Sequence, residues 1–88
     1  MNQKIKLGAN LGKNVRLLRL EAGFGVTELA KHMQLLGCET TTRESINKIE
    51  AGKQNITLSQ LWALIHTFDI TYNEFFRFLE EEQSAQEV

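Results

Sequence analysis

The sequence contains no proline, only one cysteine and no long apolar run within its 88 residues. The absence of proline, together with abundant Leu, Glu, Lys, Gln and Ala, favours helices over sheet. One cysteine cannot form an internal disulfide, so a reducing cytoplasm is the simplest setting. No apolar stretch approaches the roughly 20 residues that cross a bilayer, and the opening MNQKIKLGAN lacks the apolar core of a signal peptide. We therefore expect a cytoplasmic protein with no membrane partner.

Groups that would carry catalysis or hold a metal are also missing. His32 and His66 lie far apart in the sequence, and no cysteine or acidic cluster joins them at metal-ligand spacing. No nucleophile is placed beside a base, and there is no paired-carboxylate site or glycine-rich phosphate loop. Cys38 lies in a polar connection where it could be exposed, but it has no second thiol with which to form a redox switch. We predict that the protein is not an enzyme and uses no metal or other cofactor.

Charge is distributed unevenly although the net charge is only −1. Residues 1–53 contain nine Lys or Arg and five Glu, a net charge of +4, whereas residues 54–88 contain one Arg and six acidic residues, a net charge of −5. A basic N-terminal part followed by an acidic C-terminal part is typical of a protein that binds a polyanion with one surface. A neutral domain with a solubilising acidic end explains the same pattern, and composition alone slightly favours this second interpretation.

Length and composition indicate a single domain. An apolar fraction of 42% suits a small globular unit, and no internal repeat, low-complexity tract or linker interrupts the chain. We assign residues 1–82 to one domain and residues 83–88 to a short acidic polar tail.

Helical spacing of apolar residues predicts the first two helices. Helix one is expected over about residues 10–23, with Asn10 as its N-cap. Helix two is expected over about residues 26–36, after Gly25 as N-cap. The side chains expected to face the core are Leu11, Val15, Leu18, Ala22, Leu29, Ala30, Met33 and Leu36.

Helix three, in the segment TRESINKIEAGK, is expected over about residues 42–51. Its start has two candidates: Thr41 followed by Glu44 fits a capping box, and Thr42 is the alternative cap. The residues GCETTT form the connection from helix two.

Two further capping boxes mark the starts of helices four and five, Thr57 with Gln60 and Thr71 with Glu74. The side chains that can face the core here are Leu61, Leu64, Ile65, Phe68, Tyr72, Phe75, Phe78 and Leu79. Helices this short are marginal alone and must be held by packing against each other. The predicted fold is therefore an all-α, compact five-helix bundle.

The chain from Leu11 to Phe75 resembles the lambda-repressor-like, or XRE-type, helix-turn-helix domains. The matching segments are LGKNVRLLR, EAGF, ELA, TRESINKIEAGK and ITLSQLWALIHTFDITYNEFF. Any one of these segments is weak evidence for the family, but the pattern that they form together is specific. The residues of this pattern are Arg19, Gly23, Leu29, Ala30, Ile46, Ile49, Glu50 and Gly52. The resemblance implies a five-helix DNA-binding domain with helix three as the recognition helix. It also implies a structural ion pair between Arg19 and Glu50 that links helix one to helix three.

In three places the chain departs from the family pattern. Gly25 and Val26 replace the small polar residue and the glutamine that usually open helix two, so a DNA contact often made by that glutamine is expected to be missing. Leu17 and Leu20 occupy positions that are usually polar. The connection before helix three exceeds the 3–4-residue turn of the basic motif by about six residues, which predicts a lengthened helix two or a wider turn.

Helix three should bury its two isoleucines and expose the side chains that we expect to read base edges: Arg43, Glu44, Asn47 and Lys48. Arg or Lys can pair with guanine acceptors, Asn with adenine, and Glu with the amino group of cytosine. Arg43 and Asn47 are the strongest candidates, while Glu44 repels phosphates. On an ordinary solvated helix face, Glu44 and Lys48 would instead form a favourable i, i+4 pair worth a few tenths of a kcal/mol.

The expected phosphate-contacting residues are Thr27, Thr42, Lys53, Gln54, Asn55 and Thr57. The family places such contacts after the recognition helix, and the free N–H groups that open helices two and four can attract an anion. For each residue after helix three taken singly, an ordinary polar loop is nearly as good an explanation as a phosphate contact. Lys4 and Lys6 could add nonspecific attraction from a mobile arm, although solvated surface charge is the simpler explanation.

Aromatic residues in the second half of the chain exceed what a minimal core needs. Trp62, Phe76 and Phe78 are therefore candidates for an apolar contact with a second copy of the chain. We predict a sequence-specific regulator of transcription that binds double-stranded DNA, a repressor acting as a homodimer on a palindromic operator, with a partner protein as a further option. The alternative is a helical protein-interaction module, antitoxin-like or an adapter, that keeps the fold without reading DNA.

Overall fold

The computed structural model describes residues 4–5 and 9–79, with side chains from residue 10 onwards. The elements of this part of the chain are, in order, β1 (Lys4–Ile5), α1 (Ala9–Glu21), α2 (Val26–Leu35), α3 (Arg43–Glu50), β2 (Ile56–Thr57), α4 (Leu58–Phe68) and α5 (Tyr72–Phe75). A further helical turn follows at residues 77–79. The predicted helical bundle is confirmed. The predicted acidic tail, residues 83–88, and Lys6 lie outside the described residues.

One apolar core joins the five helices. Its largest fully buried side chains are Phe75, Leu11, Leu29, Met33, Ile46, Ile49, Ile56, Leu64 and Val15. These include members of every predicted core-facing stripe, and Leu18 and Leu36 lie half-buried against them. Ala22 lies just beyond the end of α1 and is exposed, so its expected inward orientation is wrong. Tyr72 is exposed too, and its expected inward orientation is also wrong. A helix of a single turn directs few side chains to one side, and in α5 only Phe75 is buried.

Gly12 allows α1 to lie directly against the end of α3. A Cβ atom at this position would collide with the carbonyl oxygen of Ile49 and would lie 2.7 Å from that of Glu50. Both obstacles are backbone atoms, which a rotamer change cannot move away. The absence of a side chain at Gly12 therefore sets the distance between the first helix and the third.

Side-chain caps fix where the helices begin. α1 starts at Ala9, so Asn10 is its second residue and the prediction that it caps the helix is wrong, because the helical backbone already includes the preceding alanine. At α2, the backbone N–H of Gly25 donates to the Glu28 carboxylate at 3.1 Å. Glycine has no side chain to return that bond, so only one half of a capping box exists there. The capping boxes predicted for α4 and α5 are both present.

Thr42, the alternative candidate, is the N-cap of α3. Its hydroxyl accepts from the backbone N–H of Ser45 at 3.2 Å, and its own N–H donates to the Ser45 hydroxyl at 3.2 Å. The capping box of Thr41 with Glu44 is therefore wrong. Thr41 is buried, whereas Glu44 is exposed to solvent and does not take part in the cap.

The connection between α2 and α3 is a wide turn, not an extension of α2. Gly37 adopts a φ of +103°, which a side chain would disfavour. The next backbone N–H, that of Cys38, then donates back to the carbonyl of Met33 at 2.9 Å. This reversal carries the Cys38 side chain inward, where it is 8% exposed and its thiol donates to the Ser59 carbonyl at 3.5 Å. The suggestion that Cys38 could be exposed is wrong.

A two-stranded antiparallel sheet, which the sequence did not predict, joins the beginning of the chain to the start of α4. Lys4 pairs with Thr57 and Ile5 pairs with Ile56. The backbone of Lys4 is thus held beside the N-cap of α4, and is not part of a free arm.

Candidate nucleic-acid interface

The exposed side of α3 carries the four predicted base-reading residues. Arg43, Glu44, Asn47 and Lys48 are all exposed, while Ile46 and Ile49 on the other side of the helix are 0% and 1% exposed. Within residues 10–79, none of the four polar side chains makes a hydrogen bond or an ion pair. The Glu44–Lys48 pair expected of an ordinary solvated face is therefore not formed. The helix presents an unpaired row of donors and acceptors to solvent.

An ion pair fixes the C-terminal end of α3. Nε of Arg19 donates to Oε2 of Glu50 at 2.7 Å, and its Nη2 donates to Oε1 at 3.1 Å. The remaining nitrogen, Nη1, donates to the carbonyl of Phe24 at 2.9 Å. The hydrogen bonds to Glu50 raise the pKa of Arg19 above its usual value, and burial opposes this effect. Each of the three guanidinium nitrogens thus donates to a partner inside the fold, and Arg19 is buried, so it is not available to a phosphate.

Two of the candidate phosphate contacts are already helix caps. The hydroxyl of Thr42 accepts from the N–H of Ser45, and that of Thr57 accepts from the N–H of Gln60 at 3.1 Å. A hydroxyl has one proton to donate besides its acceptor sites, so a cap can still donate to a phosphate oxygen. The α4 cap therefore does not remove Thr57 as a phosphate ligand.

The other candidate phosphate contacts lie in the loop after α3 and at the start of α2. Lys53 and Thr27 are exposed, and Gln54 and Asn55 are half-buried. None of these side chains has a hydrogen-bond partner among the described residues. Lys53, the only charged member of this group, directly follows Gly52, whose φ of +76° turns the chain after α3.

Sequence reasoning missed a polar cluster at the start of α3, formed by Thr41, Gln34 and Gln60. The carbonyl of Thr41 accepts from the amide of Gln34 at 2.6 Å, and its hydroxyl accepts from the amide of Gln60 at 3.2 Å. The only signal in the sequence was that Thr41 and Gln60 each belong to a possible capping box. Nothing in the sequence indicated that they contact each other.

The three candidate interface aromatics differ in exposure. Trp62 is 43% exposed and lies against the His66 ring, with centroids 4.1 Å apart. Phe76 and Phe78 are half-buried and pack on the core of their own chain. Other large apolar side chains are also exposed, namely Leu17, Leu20, Leu35, Leu58 and Tyr72.

The described part of the chain has neither a metal site nor a membrane-spanning helix. No group of three His, Cys, Asp or Glu residues there is arranged to hold a metal ion. No helix among the same residues has both the length and the apolar character needed to span a bilayer.

Comparison with known structures shows the same fold in two bacterial proteins. The clp gene regulator ClgR from C. glutamicum matches with a TM-score of 0.66 at 18% identity, over 83% of this chain and 86% of that one. The restriction-modification controller protein C.AhdI from Aeromonas hydrophila matches with a TM-score of 0.60 at 24% identity, over 77% of this chain and 94% of that one. At such identities the likeness establishes a shared fold. No curated protein sequence matches the chain.

A family model for the helix-turn-helix family HTH_3 matches residues 15–75, which is more than half of the chain. The matched region includes α2, α3, α4 and α5 complete, together with residues 15–21 of α1. Members of this family are DNA-binding proteins without enzymatic activity, which confirms the prediction that the chain is not an enzyme. The protein belongs to the HTH_3 helix-turn-helix family and is a DNA-binding transcription regulator.

Proposed function

We propose that this protein is a cytoplasmic repressor that reads a specific double-stranded DNA sequence with α3 and binds a palindromic operator as a homodimer. The observation that carries the proposal is the exposed face of α3, whose polar side chains have no partner within residues 10–79. A helix of this width fits the major groove, where such side chains can meet base edges. Arg43 and Asn47 are the principal candidates, as donors to guanine and as a bidentate partner of adenine.

The anchoring of α3 supports a reading role. Its isoleucines are buried, and its far end is fixed by the bond from Arg19 to Glu50. A helix held in this way cannot roll, so the same side chains always face outward. A helix whose orientation is already fixed in the free protein loses less conformational entropy when it binds a partner.

Affinity that is independent of sequence would come from phosphate contacts. Lys53 supplies a positive charge directly after α3, and Thr57 supplies a hydroxyl at the start of α4. Neutralising phosphates releases counterions, so binding should weaken steeply as the salt concentration rises. These contacts would set the register in which α3 meets the bases.

A homodimer would place two copies of α3 in successive major grooves, roughly 34 Å apart. Because the two copies are related by two-fold symmetry, the operator should be a palindrome. Trp62 is the most exposed of the three candidate interface aromatics and is the one best placed to meet a second copy. Occupying such a site would repress transcription by excluding polymerase.

Selection of bound sequences from a random duplex pool, at low and moderate salt, tests this proposal. A palindromic consensus, with binding that falls steeply as salt rises, supports it. A reporter gene placed behind the recovered sequence should then be expressed less when the protein is present. Binding of all sequences alike would refute sequence reading.

The alternative is a protein-interaction module, and one observation favours it: Leu35, Leu17 and Leu20 are 84%, 58% and 54% exposed. Exposed leucines of this kind can serve as a contact for a partner protein. A protein of this type keeps the fold without reading DNA, so the same selection should recover no preferred sequence, which separates the two functions.

A further inference from the structure

Thr41, the residue directly before the N-cap of α3, uses all of its polar groups inside the fold. It is 2% exposed. Its N–H donates to the carbonyl of Cys38 at 3.1 Å, and its carbonyl accepts from Nε2 of Gln34 at 2.6 Å. Its hydroxyl accepts from Nε2 of Gln60 at 3.2 Å. The start of α3 is therefore attached to α2 through Gln34 and to α4 through Gln60.

The other end of the Gln60 amide is attached to the cap of α4. Oε1 of Gln60 accepts from the backbone N–H of Thr57 at 2.9 Å, while the Gln60 backbone N–H donates to the Thr57 hydroxyl at 3.1 Å. One side chain, itself only 8% exposed, thus spans from the start of α3 to the start of α4. A planar amide engaged at both ends fixes the separation of the two helix starts.

The two ends of α3 are held by different kinds of contact. Its last turn lies against α1 at Gly12 and is bonded to Arg19. Its first turn has the cap formed by Thr42 and Ser45, which is internal to the helix and gives it no attachment to the rest of the fold. In the described part of the chain, the polar attachments of the first turn are those made through Thr41.

We infer that Thr41 and Gln60 are positioning residues that set DNA sequence specificity, by fixing the base-reading end of α3 relative to the phosphate-contacting start of α4. This inference rests on the proposed function. Recognition helices contact base edges mainly with their N-terminal residues, which here include Arg43. Phosphate contacts fix the register of a protein on the duplex, and base contacts then select the sequence. The link between the two helix starts therefore decides which bases the recognition helix meets.

The substitution Thr41→Val tests this role because it removes the hydroxyl and keeps the shape of the side chain. The measured quantity is the ratio of affinities for a selected duplex and a scrambled one. Loss of the hydrogen bond from Gln60 should lower this ratio by about three- to tenfold. Affinity for the scrambled duplex and its dependence on salt should stay as in the wild type, since no charge changes. Thr41→Ser should restore the ratio, and Thr40→Val, at the exposed neighbouring residue, should leave it unchanged.

Circular dichroism establishes that each variant is folded at the temperature of the binding assay. Should Thr41→Val not fold, Gln60→Met replaces it, since this substitution removes the amide that spans the two helix starts and keeps the length of the side chain. A folded variant that keeps the wild-type ratio, or that loses affinity equally for both duplexes, overturns the positioning role while the DNA-binding function stands. A wild-type protein that binds no duplex overturns the proposed function, and the inference with it.

Discussion

Arg19 contacts both carboxylate oxygens of Glu50, from Nε at 2.7 Å and from Nη2 at 3.1 Å, and so joins the end of α1 to the end of α3. The two side chains are only 9% and 8% exposed. Each charge is therefore largely removed from water and depends on the other for compensation. The pair fixes α3, the helix proposed to read bases, and leaves its exposed face free of this contact.

Glu50→Ala should lower the free energy of unfolding by about 3–5 kcal/mol, because it leaves the guanidinium of Arg19 buried without its counter-charge. Urea denaturation monitored by circular dichroism measures this change. Glu44→Ala is the matched control, since Glu44 lies on the same helix but is exposed and unpaired; it should change stability by no more than about 0.5 kcal/mol. If Glu50→Ala abolished DNA binding at an unchanged melting temperature, the structural role of the pair would be refuted.

Gly12→Ala should destabilise the protein although alanine is the better helix former. Helix propensity favours the alanine by about 1 kcal/mol. The new Cβ, however, would collide with the carbonyl oxygens of Ile49 and Glu50. Forcing α1 away from α3 should outweigh the gain and leave a net loss of about 1–3 kcal/mol. Arg16→Ala, at an exposed position of the same helix, should be neutral by comparison in thermal or urea unfolding. A more stable Gly12→Ala variant would contradict the close packing of the two helices.

Periodicity identified the core because burial on a helix repeats every three or four residues. Ile46 and Ile49 follow this rule, and placing them inward left the four base-reading candidates outward, as the structure shows. Local motifs were less decisive where two candidates overlapped. Thr41 and Thr42 both fit a cap, and the choice depends on the amides of Gln34 and Gln60, which reach Thr41 only after the helices have packed.

Several features had no signal in the periodicity or in the local motifs of the sequence. The strand pairing of Ile5 with Ile56 involves two residues on each side, too few for an alternating pattern to be recognised. The burial of Cys38 follows from the turn at Gly37, because a polar segment such as GCETTT gives no indication of which side chain the turn directs inward. The bond from Arg19 to Glu50 was expected only through the family resemblance.

The stability of the protein should fall at alkaline pH in part because of Cys38. Burial raises the pKa of its thiol, and a hydrogen bond with the side chain of Thr41 opposes this in part. Because the pKa is higher in the folded protein, the unfolded chain loses its proton first as the pH rises. The stabilisation is therefore complete below the unfolded pKa, about 8.5, and is lost as the pH rises through the folded value.

Urea denaturation of the wild type and of Cys38→Ala, at about pH 7 and about pH 9.5, measures this contribution. The wild type should lose more free energy of unfolding between the two pH values than the variant does. The difference between the two proteins isolates the contribution of the Cys38 thiol, because all other side chains are the same in both. Equal losses would show that the thiol ionises as readily in the folded protein as in the unfolded chain.

Trp62→Ala should weaken the proposed homodimer, whereas Phe76→Ala should mainly destabilise the fold. Trp62 is 43% exposed, while Phe76 packs on the core and its ring meets that of Phe75 edge to face at 5.1 Å. Truncating an aromatic that anchors an interface should raise the dimer dissociation constant about tenfold or more. Loss of a half-buried phenylalanine should cost about 2 kcal/mol, less than loss of a fully buried one. Sedimentation equilibrium and urea denaturation separate the two effects, and unchanged dimerisation of Trp62→Ala would exclude this residue from the interface.

Arg43 and Lys53 should make different contributions to DNA binding, because one lies on the exposed face of α3 and the other in the loop that follows it. Arg43→Ala should relax the preference at one base position and cost about 1–3 kcal/mol on the selected sequence. Lys53→Ala should weaken binding to all sequences alike and reduce the salt slope by about one, as expected for a lost phosphate contact. Arg77→Ala removes an equal charge after α5 and should change neither quantity. Affinities for the selected duplex and for its single-base variants, measured across a salt series, distinguish these outcomes. Equal effects of Arg43→Ala and Lys53→Ala at every base position would mean that α3 contacts only the phosphate backbone, because a residue that reads a base must discriminate at the position it touches.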